Sequence, residues 1–141
     1  REPAAWALAE AGGTMAEIGS VSFSDLDLRR GSVKVGQRTV PLTDWGLAQL
    51  ERRSEAVDHR WVLVASPDSS PDSRRVRATE LVRNVMRRAG IGGSDISVRS
   101  VAAWTGTGAF AEGGIEEVAR RLGLNSLDAA ARLVGHHWAD D

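Results

Sequence analysis

The stretch RRGSVKVGQRTVPL, residues 29–42, limits the fold more than any other. Val33, Val35 and Val40 alternate with polar residues on either side of Gly36 and Gln37. A period of two reversed by a two-residue loop is the pattern of a half-buried β-hairpin. Pro41 has no N–H to give a ladder and ends the second strand. Only one further strand is expected beside it, so the sheet is small and most of the core has to come from helices.

The remaining segments read as helices with recognisable stops. Pro3 suits a first turn, and Ala4 to Ala11 forms a helix that Gly12 and Gly13 interrupt. A short helix covers Met15 to Val21, and Thr43 or Asp44 caps another that runs to about Ala56. The apolar run WVLVAS, residues 61–66, reads as one buried strand, and SPDSSPDSRR, residues 66–75, as a surface loop. The next helix places Val76, Leu81, Val82 and Val85 on one side, and Gly90 stops it. A helix from Ser97, weakened by Gly106 and Gly108, precedes one that ends at Gly123, and Asn125 with Asp128 caps the last. The expected class is α+β, mostly helical, with a small β-hairpin or sheet at one edge.

Composition removes several functions. The chain has 141 residues, enough for one domain over 1–141, and opens at Arg1 as the C-terminal fragment of a longer protein would. It has no cysteine and three histidines, His59, His136 and His137, so neither a metal site nor any other cofactor is expected. No run of about 20 apolar residues exists to cross a membrane, which leaves the cytoplasm as the expected location. Of the 18 basic residues 17 are arginine, whose forks suit phosphate, but 19 acids offset them. The chain also contains no tyrosine.

Several strings, in order, resemble the catalytic domain of the tyrosine recombinases, the phage-integrase family. The family's TGLR-x-SE turn and following L-x-W-x-D-I-D are matched by AGGTMAEIGSVSFSDLDL, residues 11–28. Its R-x-V-P-L hairpin end is matched by RTVPL, 38–42, its R-x-L-K-R-A-G-I helix by RNVMRRAGI, 83–91, and its last motif by EEVARRLGLNSLDAA, 116–130. The resemblance implies a recombinase-like fold over essentially the whole chain.

It also implies a lost reaction. The family attacks a DNA phosphate with tyrosine, holds the developing charge on two arginines, and protonates the leaving oxygen with a hairpin lysine. Here the first arginine falls at Thr14, the His-x-x-Arg pair at Ile96 and Arg99, the later histidine at Leu124 and the tyrosine near Leu133. The hairpin turn has shrunk to Gly36 and Gln37, with Lys34 inside the strand. Ile96, Leu124 and Leu133 are therefore expected to fill the former site as buried apolar residues. No catalytic residue is expected, and the chain reads as an inactive, degenerate integrase-like domain that binds DNA or a DNA-associated protein.

Arg99, Arg38, Lys34, Arg74, Arg75 and Arg77 are the candidate DNA contacts. Arg99 alternatively pairs internally with Glu17 or Asp95. A protein partner or a second copy would use the C-terminal segment around Trp138. The five tryptophans, Trp6, Trp45, Trp61, Trp104 and Trp138, are otherwise expected at or near the core. The competing function is a helix-turn-helix transcriptional regulator over residues 115–134, with Gly123 in the turn. That reading requires residues 127–132 to be exposed, whereas the recombinase-like one turns Leu124 and Leu133 inward. An enzyme of another class has little support. His136 and His137 point about 100° apart on a helix, and TGTGAF, residues 105–110, lacks the strand and Gly-Lys-Ser of a phosphate loop.

Overall fold

A computed structural model of the chain describes residues 1–58 and 62–138. Among these, six helices surround a three-stranded antiparallel sheet ordered β1-β2-β3, which is the mostly helical α+β class expected. Helix α1 (Glu2–Glu10) carries Pro3 in its first turn, and α2 (Met15–Ser20) is opened by Thr14. A short 3₁₀ turn (Phe23–Asp25) leads into β1 (Leu26–Asp27), β2 (Ser32–Val35) and β3 (Arg38–Pro41). Helices α3 (Asp44–Ala56), α4 (Pro71–Arg88), α5 (Val98–Leu122) and α6 (Leu127–Val134) follow.

The hairpin has the expected register, with Val33 opposite Val40, Lys34 opposite Thr39 and Val35 opposite Arg38. Gly36 alone in the turn takes a positive φ, 59°, as the first central position of a type II′ turn requires. Val33, Val35 and Val40 are fully buried, while Lys34 and Thr39 face out.

The main core lies under α1, whose alanines allow its neighbours to approach closely. A Cβ added at Gly46 of α3 would lie 3.3 Å from the Cβ of Ala7. Gly19 of α2 sits on the Arg74 carbonyl of α4, where a Cβ would come within 2.6 Å of the oxygen. Leu8, Ile18, Leu50, Leu63, Leu81 and Val82 fill the space between. A second, smaller cluster joins Ala109, Ile115, Val118 and Leu122 of α5 to Ala130 and Ala131 of α6. Helix α5 is broken where Gly113 (φ −151°) and Gly114 (φ 70°) leave helical geometry, and it ends on Gly123 in the left-handed region.

Several local expectations are corrected. The apolar run 61–66 is no strand among its described residues: one bridge pairs Ser22 with Val62, and the Leu63 N–H donates to the Val21 carbonyl. Residues 62–65 are still buried, as an irregular segment. Trp61 and His59 lie outside the described residues. The expected loop 66–75 is helical from Pro71, because the Ser70 hydroxyl accepts the Ser73 N–H and proline occupies the first turn. Ser126, not Asn125, caps α6, its hydroxyl accepting the Ala129 N–H. Val76 is 47% exposed, since Ala78, Leu81, Val82 and Met86 form the buried face of α4 instead. Of the tryptophans, Trp6 packs against the main core, whereas Trp45, Trp104 and Trp138 are exposed.

Candidate functional site

The four positions that the resemblance reads as degenerate lie in three places. Thr14 caps α2 in a reciprocal box: its hydroxyl accepts the Glu17 N–H at 3.3 Å, and its own N–H donates to Glu17 Oε2 at 2.8 Å. Leu124 follows Gly123 at the end of α5, and Leu133 lies on α6; both are half-buried against the second cluster. Leu133 reaches the glycine notch of α5, where a Cβ at Gly106 would lie 3.5 Å from its Cδ2. Ile96 is elsewhere. It is 39% exposed in a recess shared with Trp6 and Met86, so it is not the buried apolar residue expected. The loop that carries it turns toward the end of α4 instead.

What joins the α2 turn to the end of α5 is Arg38. Its Nη1 donates to Glu17 Oε1 at 2.7 Å and to the Val35 carbonyl at 3.4 Å. Nη2 donates to Glu17 Oε2 at 2.9 Å and the Gly12 carbonyl at 2.8 Å, and Nε to the Arg121 carbonyl at 2.9 Å. A guanidinium has five N–H groups, and each has an acceptor here. The fork lies in a nest of glycines. An added Cβ would come within 2.6 Å of Arg38 Nη1 at Gly123, 2.6 Å of Glu17 Oε1 at Gly36, and 2.9 Å of the Arg121 carbonyl at Gly12. The side chains of Arg38 and Glu17 are 14% and 23% exposed. Burial acts to raise the Glu17 carboxyl pKa, but the hydrogen bonds from Arg38 and Thr14 outweigh it and hold the group below the usual carboxylate range.

A second ionic cluster adjoins this one. Glu117 accepts from Arg120 Nε and Nη2 and from Arg121 Nε and Nη2, while Arg120 Nη1 reaches the Thr39 carbonyl of β3 at 3.2 Å. Arg121 Nη2 also donates to Glu112 across the break in α5. The Arg120 hydrogen bonds, against the cost of burial and with help from Arg121, lower the Glu117 pKa to about 2.

The other basic residues are dispersed. Arg99 stands in the first turn of α5, where the Ser97 hydroxyl accepts its backbone N–H. Its side chain is exposed, and among the described residues it makes no ion pair. Glu17 is taken by Arg38, so the Arg99–Glu17 pairing does not form. Lys34 lines one recess with Asp25 and Glu17, and another with Asp27, Arg29 and Arg30. Arg74 Nε donates to the Ser69 carbonyl, Arg75 pairs with Asp72, and Arg77 with Glu80. On α6, Leu127, Asp128 and Arg132 are exposed while Ala130 and Ala131 are buried. Trp138 folds back on α6, its indole N–H donating to Asp128 Oδ1 at 3.1 Å and its ring edge-on to His136. No cluster of three metal-ligating side chains and no helix long and apolar enough to span a membrane occurs among the described residues.

A small three-stranded antiparallel sheet packed on a mostly helical core makes a recombinase-like fold. The chain matches the crystal structure of XerA recombinase with a TM-score of 0.68 and 16% sequence identity, over 94% of this chain and 52% of that one. The chain therefore spans about half the length of the recombinase it matches. No protein-family model and no curated protein matches the sequence.

Proposed function

We propose that this chain is a recombinase-like domain without strand-cleavage chemistry that acts as a DNA-associated module. The observation that carries the DNA role is Arg99, an exposed guanidinium with no described ion pair at a helix start, whose N–H groups also favour an anion. Arg38 has no donor left for a phosphate, and Arg75 and Arg77 already hold acids. The lack of cleavage rests on the sequence: no tyrosine is present, threonine stands at the first arginine position and leucine near the nucleophile position. A cytoplasmic location goes with this reading. A contact with a second copy through the C-terminal segment has less support, because Trp138 is docked on its own α6.

Two measurements test the proposal. Gel shifts with duplex DNA at two salt concentrations are expected to show binding that Arg99→Ala weakens for all sequences alike, with a salt slope lower by about one. Suicide substrates are expected to trap no covalent adduct, and a denaturant-stable protein–DNA band overturns the inactive reading. The helix-turn-helix alternative over 115–134 draws on the exposure of Leu127, Asp128 and Arg132. It requires Arg132→Ala to abolish binding and Arg99→Ala to leave it intact.

A further inference from the structure

On another side of α5 a groove about 300 Å³ in volume is lined by Trp6, Met86, Ile91, Ile96, Val101 and Trp104, among others. Ile91, Ile96 and Trp104 remain 43%, 39% and 61% exposed there. Three large apolar side chains left in water around one concavity mark a contact surface more than a stability device. Ser100 and Trp104, one turn apart on α5, both face this groove, while Arg99 is rotated about 100° from Ser100 around the helix. Arg99 lines neither this groove nor the depression beside it, so the groove's occupant does not require the proposed DNA contact.

Charge identifies the occupant. Met86, Ile91 and Ile96 also wall an adjoining depression, whose other residues include Arg83 and Arg87, one turn apart on α4. Both arginines are exposed; Arg87 donates to the Asn84 amide oxygen, and Arg83 has no described ion pair. No acid lines this depression among the described residues. The one acid among the described residues that line the apolar groove, Glu10, already accepts from the Trp6 indole N–H at 2.6 Å and the Thr43 hydroxyl at 3.2 Å. An apolar recess continuous with two arginine forks suits a carboxylate-bearing chain with one large apolar side chain.

We propose that this groove docks an acidic peptide segment of a partner protein, its apolar anchor in the recess lined by Trp6 and Trp104 and its carboxylates on Arg83 and Arg87. The test is selection of a displayed library of random peptides, each about a dozen residues long, against the full chain. Enriched sequences are expected to place a Leu, Phe or Trp within one helical turn of two or more acids. Synthetic copies, followed by fluorescence polarisation, are expected to lose about tenfold or more in affinity on Trp104→Ala and on the double change R83E/R87E. Both variants change exposed residues, and circular dichroism melts are expected to match the parent. The proposal is overturned by no enrichment, by enriched peptides without acids, or by binding that survives both variants. It is likewise overturned if a single-stranded oligonucleotide binds there in place of the peptides, or if sedimentation shows a dimer that Trp104→Ala abolishes, either result assigning the groove to a different occupant.

Discussion

The core under α1 and the cluster between α5 and α6 are packed from different materials. The first encloses Leu8, Ile18, Leu50 and Leu63 at 0% exposure, with helices drawn close by alanine and glycine. The second is centred on Ala109, Ile115, Val118, Leu122, Ala130 and Ala131, with Leu124, Leu133 and Val134 only half-buried at its edge. The first region holds the fold by removing apolar area from water. The second depends more on ties to the first: the Thr105 hydroxyl donating to the Glu10 carbonyl at 2.9 Å, Arg38 on the Arg121 carbonyl, and Arg120 on Thr39. Leu124 and Leu133 thus lie at the edge of the smaller cluster.

Substitutions measure that difference. Leu8→Ala is expected to cost about 3–5 kcal/mol in a urea melt, because a close-packed site cannot collapse around the lost methyls. A loss near that of Leu133→Ala would remove the distinction between the two regions. Arg38→Met is expected to cost about 2–4 kcal/mol, since it strands the Glu17 carboxylate and leaves the Gly12 and Arg121 carbonyls unpaired. Adding Glu17→Gln is expected to restore part of that loss, and strict additivity would show that the two side chains do not act as a pair. Leu133→Ala is expected to cost less, about 1–2 kcal/mol, because its side chain is half in water already.

The smallest effect is a pH dependence. Glu117 is held at about 2, below its ordinary 4.5. A depressed carboxylate stabilises the folded state fully above the unfolded value, and that contribution disappears as pH falls from about 4.5 toward 2. Because the pair is open to solvent on one side, its contribution is on the order of 1 kcal/mol. The stability gap between the parent and Glu117→Gln is expected to be present at neutral pH and to close in acid. A gap unchanged across that range would mean that the Glu117 carboxylate contributes nothing through its charge.

The hairpin, a cap at Thr43 or Asp44 (Thr43 in the structure) and the stops at Gly90 and Gly123 were legible because each is a local signal of turn or cap chemistry. Arg38 was readable too, although its position suggested a surface phosphate contact. It shares the parity of Val40 and stands opposite Val35, so once those valines point inward the arginine does as well. Its acceptors were not readable, since the Arg121 carbonyl is 83 residues away in sequence. The run 61–66 failed because a continuous apolar stretch has no period to separate a strand from a buried irregular segment. Ile96 failed for a different reason: the family frame gave it a role, but not the path of the loop that carries it to the groove beside α4.

The break at Gly113 and Gly114 has a consequence for the size of the molecule. A straight helix of the 25 residues of α5 would be about 37 Å long, more than the roughly 30 Å breadth of a small domain. Such a rod would carry its last turns, and the whole of α6, out beyond the rest of the chain. The two glycines fold it like a carpenter's rule, so that the far end returns beside the near one and Val134 and Leu133 close on Gly106. Chain length that would have become a projecting arm becomes a second wall, and the terminal helix acquires a surface to rest on.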